Sequence, residues 1–269
     1  MDDARGAGEA VWMPAEAALE APASWVRGNA EVVDALYAAL HRPSELHPDA
    51  LRSAQVDHFT AQASTGGFAQ FVYNGGWEPL GVGLLRQGLR AVGAPETAAL
   101  VDEGVRLVAR LGRERLQAFL ASRFFGTNPE RDVLGSLDRR LVLALEREDL
   151  VGPNAAFLRG HPDLAVVPAE ALEARIGGWY DALPDRGVRE AEAEAALPRY
   201  ERLARAACAA ADVTLRSVIA GDPTHSHEGC FRMGWHLETP RGTCVLVDAG
   251  EDAVLLDPSG TELARVPAR

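Results

Sequence analysis

His225-x-His227-x-x-Cys230 is the one stretch of the sequence in which metal-binding side chains cluster, with His236 and Cys244 close behind. Alternate residues of an extended segment point to one side, so the two imidazoles share a face, and Cys230 is near enough to complete a chelate. A structural zinc site needs a fourth ligand, which His236 or Cys244 would supply by folding back. A catalytic site needs three ligands and a water, and Glu228 would then serve as base, giving a metal-dependent hydrolase. The spacing fits no standard zinc signature, and a His-rich turn entering a strand is the plainer reading of it. Zinc is the one cofactor with any foothold in the sequence, and the default expectation is no cofactor.

Other chemistries lack their residues. All 27 basic residues are arginine, so neither a Walker-type phosphate loop nor a Schiff base has its lysine. No G-x-S-x-G elbow, H-E-x-x-H pair or G-x-G-x-x-G fingerprint occurs; Gly81-Val82-Gly83 lies inside a helical pattern and suits close helix packing. Asp138 beside Arg139 and Arg140 reads as part of a surface ion network. Cys208, among alanines, reads as a small core residue. Nothing here points to an enzyme.

A second motif carries a different kind of information. Gly66-Gly67-Phe68-Ala69-Gln70-Phe71-Val72-Tyr73-Asn74 places two glycines after a helix, where positive φ permits a sharp reversal. Phe68 and Phe71, three apart, anchor a short helix in a core, while Gln70 and Asn74, four apart, share another face and can bond to a loop or to a partner. Tyr73 and Trp77 add polar handles at the rim of an apolar surface.

The elements that position these residues are mostly helical. Residues 1–28, rich in Ala, Glu, Pro and Gly with isolated Trp12 and Trp25, read as a loosely ordered arm. Asn29 suits an N-cap for a helix carrying Val32, Val33, Leu36 and Leu40, stopped by Pro43. Pro48 opens the helix that ends at Gly66-Gly67, and Asn74-Gly75-Gly76 closes the short one after it. Leu80, Leu84, Leu85, Leu89 and Val92 form the next apolar stripe, Ala98, Val101, Val105 and Val108 another, and shorter amphipathic pieces follow. No strand is evident before about residue 160. Helices are expected over roughly 168–183 and 187–220, then four short strands separated by Pro-Arg-Gly, Ala-Gly-Glu-Asp and Pro-Ser-Gly turns. The predicted fold class is mainly α: an N-terminal all-helical domain (29–167) and a smaller α+β unit (168–269) ending in an antiparallel β-meander.

The motif Gly66-Gly67-Phe68-x-Gln70-Phe71-x-x-Asn74, followed by the leucine-rich helix and Ala91-Val92-Gly93-Ala94, resembles the bacterial DNA-mimic (DMP-type) family, a domain otherwise of unknown function. Leu137-Asp138-Arg139 and Ala156-Phe157-Leu158-Arg159-Gly160-His161-Pro162-Asp163 resemble its later segments, so the likeness spans about residues 30–167. The resemblance implies an all-helical fold, often dimeric, and a protein partner. In the family's named member, surface carboxylates imitate DNA phosphates and occupy a transcription factor's DNA-binding site. Residues 1–50 hold nine acids against three bases, which makes Glu31, Asp34, Glu45 and Asp49 the expected acidic face. An ordinary acidic protein kept soluble by its charge explains the same composition. An immunity-type protein that neutralises a toxin is a further reading without a motif of its own.

Charge and composition bound the partners. The net charge of −12 opposes direct nucleic-acid binding, and between Val101 and Leu150 acids and bases balance at nine each. No apolar run reaches the roughly 18–20 residues of a membrane span, and Met1-Asp2-Asp3 has the wrong charge for a signal peptide. With three cysteines and no C-x-x-C, a disulfide framework is not expected and the cytoplasm is the default compartment.

Overall fold

Five of the helices begin on proline, a residue pre-set for the first helical position because the N–H it lacks has no intrahelical partner there. These are α2 (Pro22–Ala38), α3 (Pro48–Asn74), α4 (Pro79–Ala91), α5 (Pro95–Ala121) and α6 (Pro129–Leu134). The computed structural model describes residues 5–19 and 21–268, so Met1-Asp2-Asp3 lies outside the described residues. It divides into two units, Met1–Arg186 and Gly187–Arg269.

The first unit adds β1 (Val11–Pro14), the single turn α1 (Ala15–Ala18), α7 (Asp138–Glu148), α8 (Val151–Arg159), β2 (Leu164–Val167) and α9 (Ala169–Asp181). Its spine is α3, which feeds two cores. Leu51, near its start, joins Trp12, Trp25, Val33, Leu36, Leu158 and Leu172. Phe59, Phe68, Phe71 and Val72, further along, join Leu85, Leu89, Val101, Leu137 and Leu141. Each large apolar side chain fully withdrawn from water in these clusters contributes about 1.5–3 kcal/mol. Two buried amides tie neighbours to the spine: Asn29 Nδ2 on α2 donates to the Ala50 carbonyl (2.9 Å), and Asn154 Nδ2 on α8 donates to that of Ser53 (3.1 Å).

Several expectations change here. Residues 5–19 are not a loose arm: Val11, Trp12 and Met13 are buried in β1, which pairs in parallel with β2 from Val11↔Leu164 to Pro14↔Val167. The strand escapes a periodicity search because it is four residues long and its partner lies at the far end of the unit. Asn29 is not a cap. It lies inside α2, which starts seven residues earlier at Pro22. The boundary expected at residue 167 falls later, because Leu172, Ile176 and Trp179 of α9 pack into the Trp12 core, with the rings of Trp12 and Trp179 5.2 Å apart.

The second unit is α+β. Helices α10 (Arg186–Ala196) and α11 (Arg199–Ala210) precede an antiparallel sheet of consecutive strands β3 (Ser217–His227), β4 (Cys230–Thr239), β5 (Gly242–Asp248), β6 (Asp252–Leu256) and β7 (Glu262–Pro267). The sheet therefore has five strands, not four. The helix expected to run to residue 220 is interrupted at Leu197-Pro198 and ends at Ala210. The polar run Asp222-Pro223-Thr224-His225-Ser226-His227, which hides the period-2 signal, belongs to β3. Leu203, Ala204, Ala207 and Cys208 of α11 cover Leu237, Cys244, Leu246 and Leu255. Cys208 is the core residue its alanine-rich setting implies, and burial followed by the neighbouring Cys244 raises its thiol pKa. Among the described residues no helix is long and apolar enough to cross a membrane.

Gly104 marks a close approach between α5 and α3: a Cβ there would lie 2.1 Å from Phe68 Cζ. Gly104→Ala is therefore expected to destabilise the fold by about 1–3 kcal/mol through overpacking, read as a lower urea midpoint at unchanged slope.

Candidate functional site

The glycine pair breaks α3 into two helical segments. Gly66 takes φ −149°, ψ 20°, and Gly67 takes φ 72°, ψ −168°, a conformation that side-chain-bearing residues rarely adopt. The segment after the break begins with amide groups that have no helical acceptor. Asp138, at the start of α7, supplies one: its Oδ1 accepts the Phe68 N–H at 2.9 Å. A Cβ on Gly67 would lie 2.3 Å from that carboxylate. The second glycine is thus required twice, for its φ and for the room it leaves. Asp138 is not part of a surface ion network as the sequence suggests. It turns inward while Arg140 alone reaches Glu103 (2.6 Å).

Polar side chains of the motif bond to one another. Gln62 Oε1 accepts from Gln70 Nε2 (3.1 Å) and Asn74 Nδ2 (2.7 Å), and Gln70 also donates to Thr65 Oγ1 (2.8 Å). Phe68 and Phe71 are buried with Phe59 and half-buried Trp77, the Phe59 and Phe71 rings meeting edge-on at 5.0 Å. Tyr73 donates its hydroxyl to the Ser122 carbonyl at 2.6 Å. This arrangement explains the residue types of the corner by packing and amide pairing alone.

Burial alone raises the Asp138 pKa, and the Phe68 amide opposes the rise without cancelling it.

A different set of residues forms a reciprocal polar constellation within the first unit. His47-Pro48-Asp49 and His161-Pro162-Asp163 are the same tripeptide, one at the start of α3 and one in the turn between α8 and β2. Each imidazole Nδ1 accepts the amide of the aspartate two residues on, at 3.2 Å in the first copy and 3.1 Å in the second. Each Nε2 then faces the aspartate of the other copy: His161 to Asp49 Oδ2 at 3.0 Å, His47 to Asp163 Oδ2 at 3.7 Å. The rings meet edge to face at 4.9 Å. Arg52 holds the free oxygen of Asp49 at 2.6 Å and donates onward to Gln87.

His47, His161 and Asp163 also form the one group of three potential metal ligands within 4.8 Å of one another among the described residues. Their hydrogen bonding does not suit a metal. A ligating histidine coordinates through one nitrogen and donates the N–H of the other. Here both Nδ1 atoms accept backbone amides, so both Nε2 atoms keep their protons and direct them at carboxylates. His47 was not singled out in the sequence; the signal that could have found it is the repeated tripeptide.

The residues expected to bind zinc are not brought together in this way. His225 lies across from Arg232 and His227 across from Cys230 at the exposed end of the β3–β4 hairpin. His227 Nε2 is 3.9 Å from Glu228 and Cys230 is exposed; of the two candidate fourth ligands, His236 lies across from Ala220 and Val245, and Cys244 is sealed beneath α11. The expected acidic face is also divided. Glu31 and Asp34 are exposed on α2. Glu45 instead folds back to accept the Arg42 amide at 2.8 Å, and Asp49 is held by Arg52 and His161. The Asp49 pKa is lowered: burial, the largest influence, pushes it up, but the bonds and charges of Arg52 and His161 together outweigh it.

Residues 44–161 match the family described as DMP19-like protein, a narrower span than the 30–167 read from the sequence. The match contains the Gly66-Gly67 corner and both histidines of the paired tripeptides, and it begins after Glu31 and Asp34. No curated protein and no solved structure matches the chain.

The Asp138 cap yields a paired test. Asp138→Ala is expected to cost about 0.5–2 kcal/mol, whereas Asp138→Asn, which keeps an acceptor oxygen, costs a fraction of that at neutral pH. A raised carboxyl pKa favours folding below the ordinary 3.8, and that contribution is lost as pH rises through the folded value. The stability of the natural protein relative to Asp138→Asn, measured by urea unfolding, should therefore be greatest in acid and fall towards neutrality.

Proposed function

We propose that this chain, with a DMP19-like segment at its centre, is a non-enzymatic interaction protein that binds a basic, DNA-binding partner through the carboxylates of α2. The observation that carries the reading is the state of Glu31 and Asp34. They stand one helical turn apart, both exposed, and neither forms an ion pair among the described residues. Carboxylates on neighbouring elements are engaged: Asp49 by Arg52, Glu103 by Arg140, and Asp102 by Arg86 and Arg90. Two uncompensated charges on a chain of net charge −12 attract a cationic surface before contact, which raises the association rate and makes binding sensitive to salt. Glu45 and Asp49 leave the binding face in this reading and act within the fold.

The test is capture of a partner on the full-length tagged protein from its native cells, followed by competition with duplex DNA. The expected result is release of the partner by DNA and a roughly tenfold or greater loss of affinity in E31R/D34R, narrowing as salt is raised. A partner that duplex DNA does not displace, or that the double reversal retains at full affinity, rejects the proposal.

A further inference from the structure

From the reciprocal geometry of the two His-Pro-Asp turns we infer that they form a proton-sensitive clasp, closed when both imidazoles are neutral and opened when they are protonated, which holds β2 and its partner β1 in place. The donor pattern sets the direction of the switch. Neutral His47 and His161 each have one acceptor nitrogen and one N–H, and the site uses both: Nδ1 takes a backbone amide and Nε2–H faces a carboxylate. Protonation places a second N–H on Nδ1, directed at the amide N–H it had accepted. It also sets two cations side by side, since the ring centroids are 4.9 Å apart. The carboxylates compensate incompletely, because Asp49 already pairs with Arg52 and Asp163 is about half exposed.

The clasp is joined directly to the strands. Asp163, whose side chain faces His47, offers its carbonyl to the Val11 amide at 3.1 Å, the bond that opens the β1–β2 ladder, and to Arg5 at 3.3 Å. Releasing the His161-Pro162-Asp163 turn therefore removes the first rung under Val11 and Trp12. The charged groups facing the two rings are Asp49 and Arg52 from α3 and Asp163 from the second turn, with Arg5 on the Asp163 backbone. Burial first, then the neighbouring His161 charge, lowers the His47 pKa against the opposing pull of Asp49 and Asp163. A histidine depressed in this way gives its full contribution to folding above the ordinary 6.5 and loses it as pH falls below that value.

The experiment is amide hydrogen exchange by mass spectrometry on the full chain at about pH 7.5 and about pH 5.5, corrected for intrinsic rates, with H47N/H161N as the comparison. Asparagine keeps an acceptor for the amide two residues on but does not titrate. In the natural protein, peptides covering residues 10–14 and 161–167 should lose protection by roughly tenfold or more on acidification, and in the double variant protection should not change with pH. Equal protection of the natural protein at both pH values, or an equal loss in the variant, overturns the proposal. So does added zinc that protects the natural protein at the higher pH, since it would assign the imidazoles to a metal. Imidazole nitrogen shifts of the natural protein give a reading independent of the variant. Both rings should carry the proton on Nε2 at the higher pH, and an Nδ1–H form in either overturns the clasp.

Discussion

Everything in the first unit is arranged around a helix that is interrupted yet keeps its course through two cores. The carboxylate of Asp138 on the Phe68 amide makes that interruption tolerable. Without an acceptor, the amide exposed by the Gly66-Gly67 break would be stranded beside Phe68, a residue 1% exposed. With it, the first part of α3 can face Trp12, Trp25 and Leu36, while the second turns Phe68, Phe71 and Val72 towards α4, α5 and α7. The contact also fixes the start of α7, since Asp138 is its first residue. Gly104 completes the arrangement from α5 by giving the Phe68 ring a place where no side chain can stand.

How far the sequence revealed this depended on the range of each interaction. The glycine pair, the Phe68/Phe71 spacing and the Gln70/Asn74 pair are local, so the corner and its helices could be read directly; the amide partner Gln62 lies only one helical stretch away. The β-meander was readable from its turns, apart from β3, whose polar run conceals the alternation. Asp138 and Phe68 are 70 residues apart, and His161 and Asp49 are 112 apart. Neither pairing leaves a periodic trace. Asp138 reads as a surface residue in the sequence because its neighbours Arg139 and Arg140 supply a ready surface explanation. The repeated tripeptide was visible as letters, but only the fold shows that each copy completes the other.

The two predicted functional clusters separate on the same physical ground. His225, His227 and Cys230 are close in sequence, yet the β-hairpin pairs only His227 with Cys230, sets His225 across from Arg232, and forms no three-ligand group among the described residues. Glu31, Asp34, Glu45 and Asp49 are close in sequence and acidic, yet Glu45 answers a donor just before α3 and Asp49 answers Arg52 and His161 from its first turn. Composition counts charges without registering which are already neutralised. What remains on α2 is a smaller and better defined feature than a uniformly acidic N-terminus.

The parallel pairing of β1 with β2 bears on how the chain comes into being. Val11 cannot find Leu164 until about 150 further residues have left the ribosome, because the ladder joins the two ends of the helical unit. The helices between them are built largely from local contacts and can form as they emerge. Trp12 and Met13 can meet α2 early, but the ladder that flanks them forms only once β2 appears, so its pairing reports completion of the unit rather than its beginning.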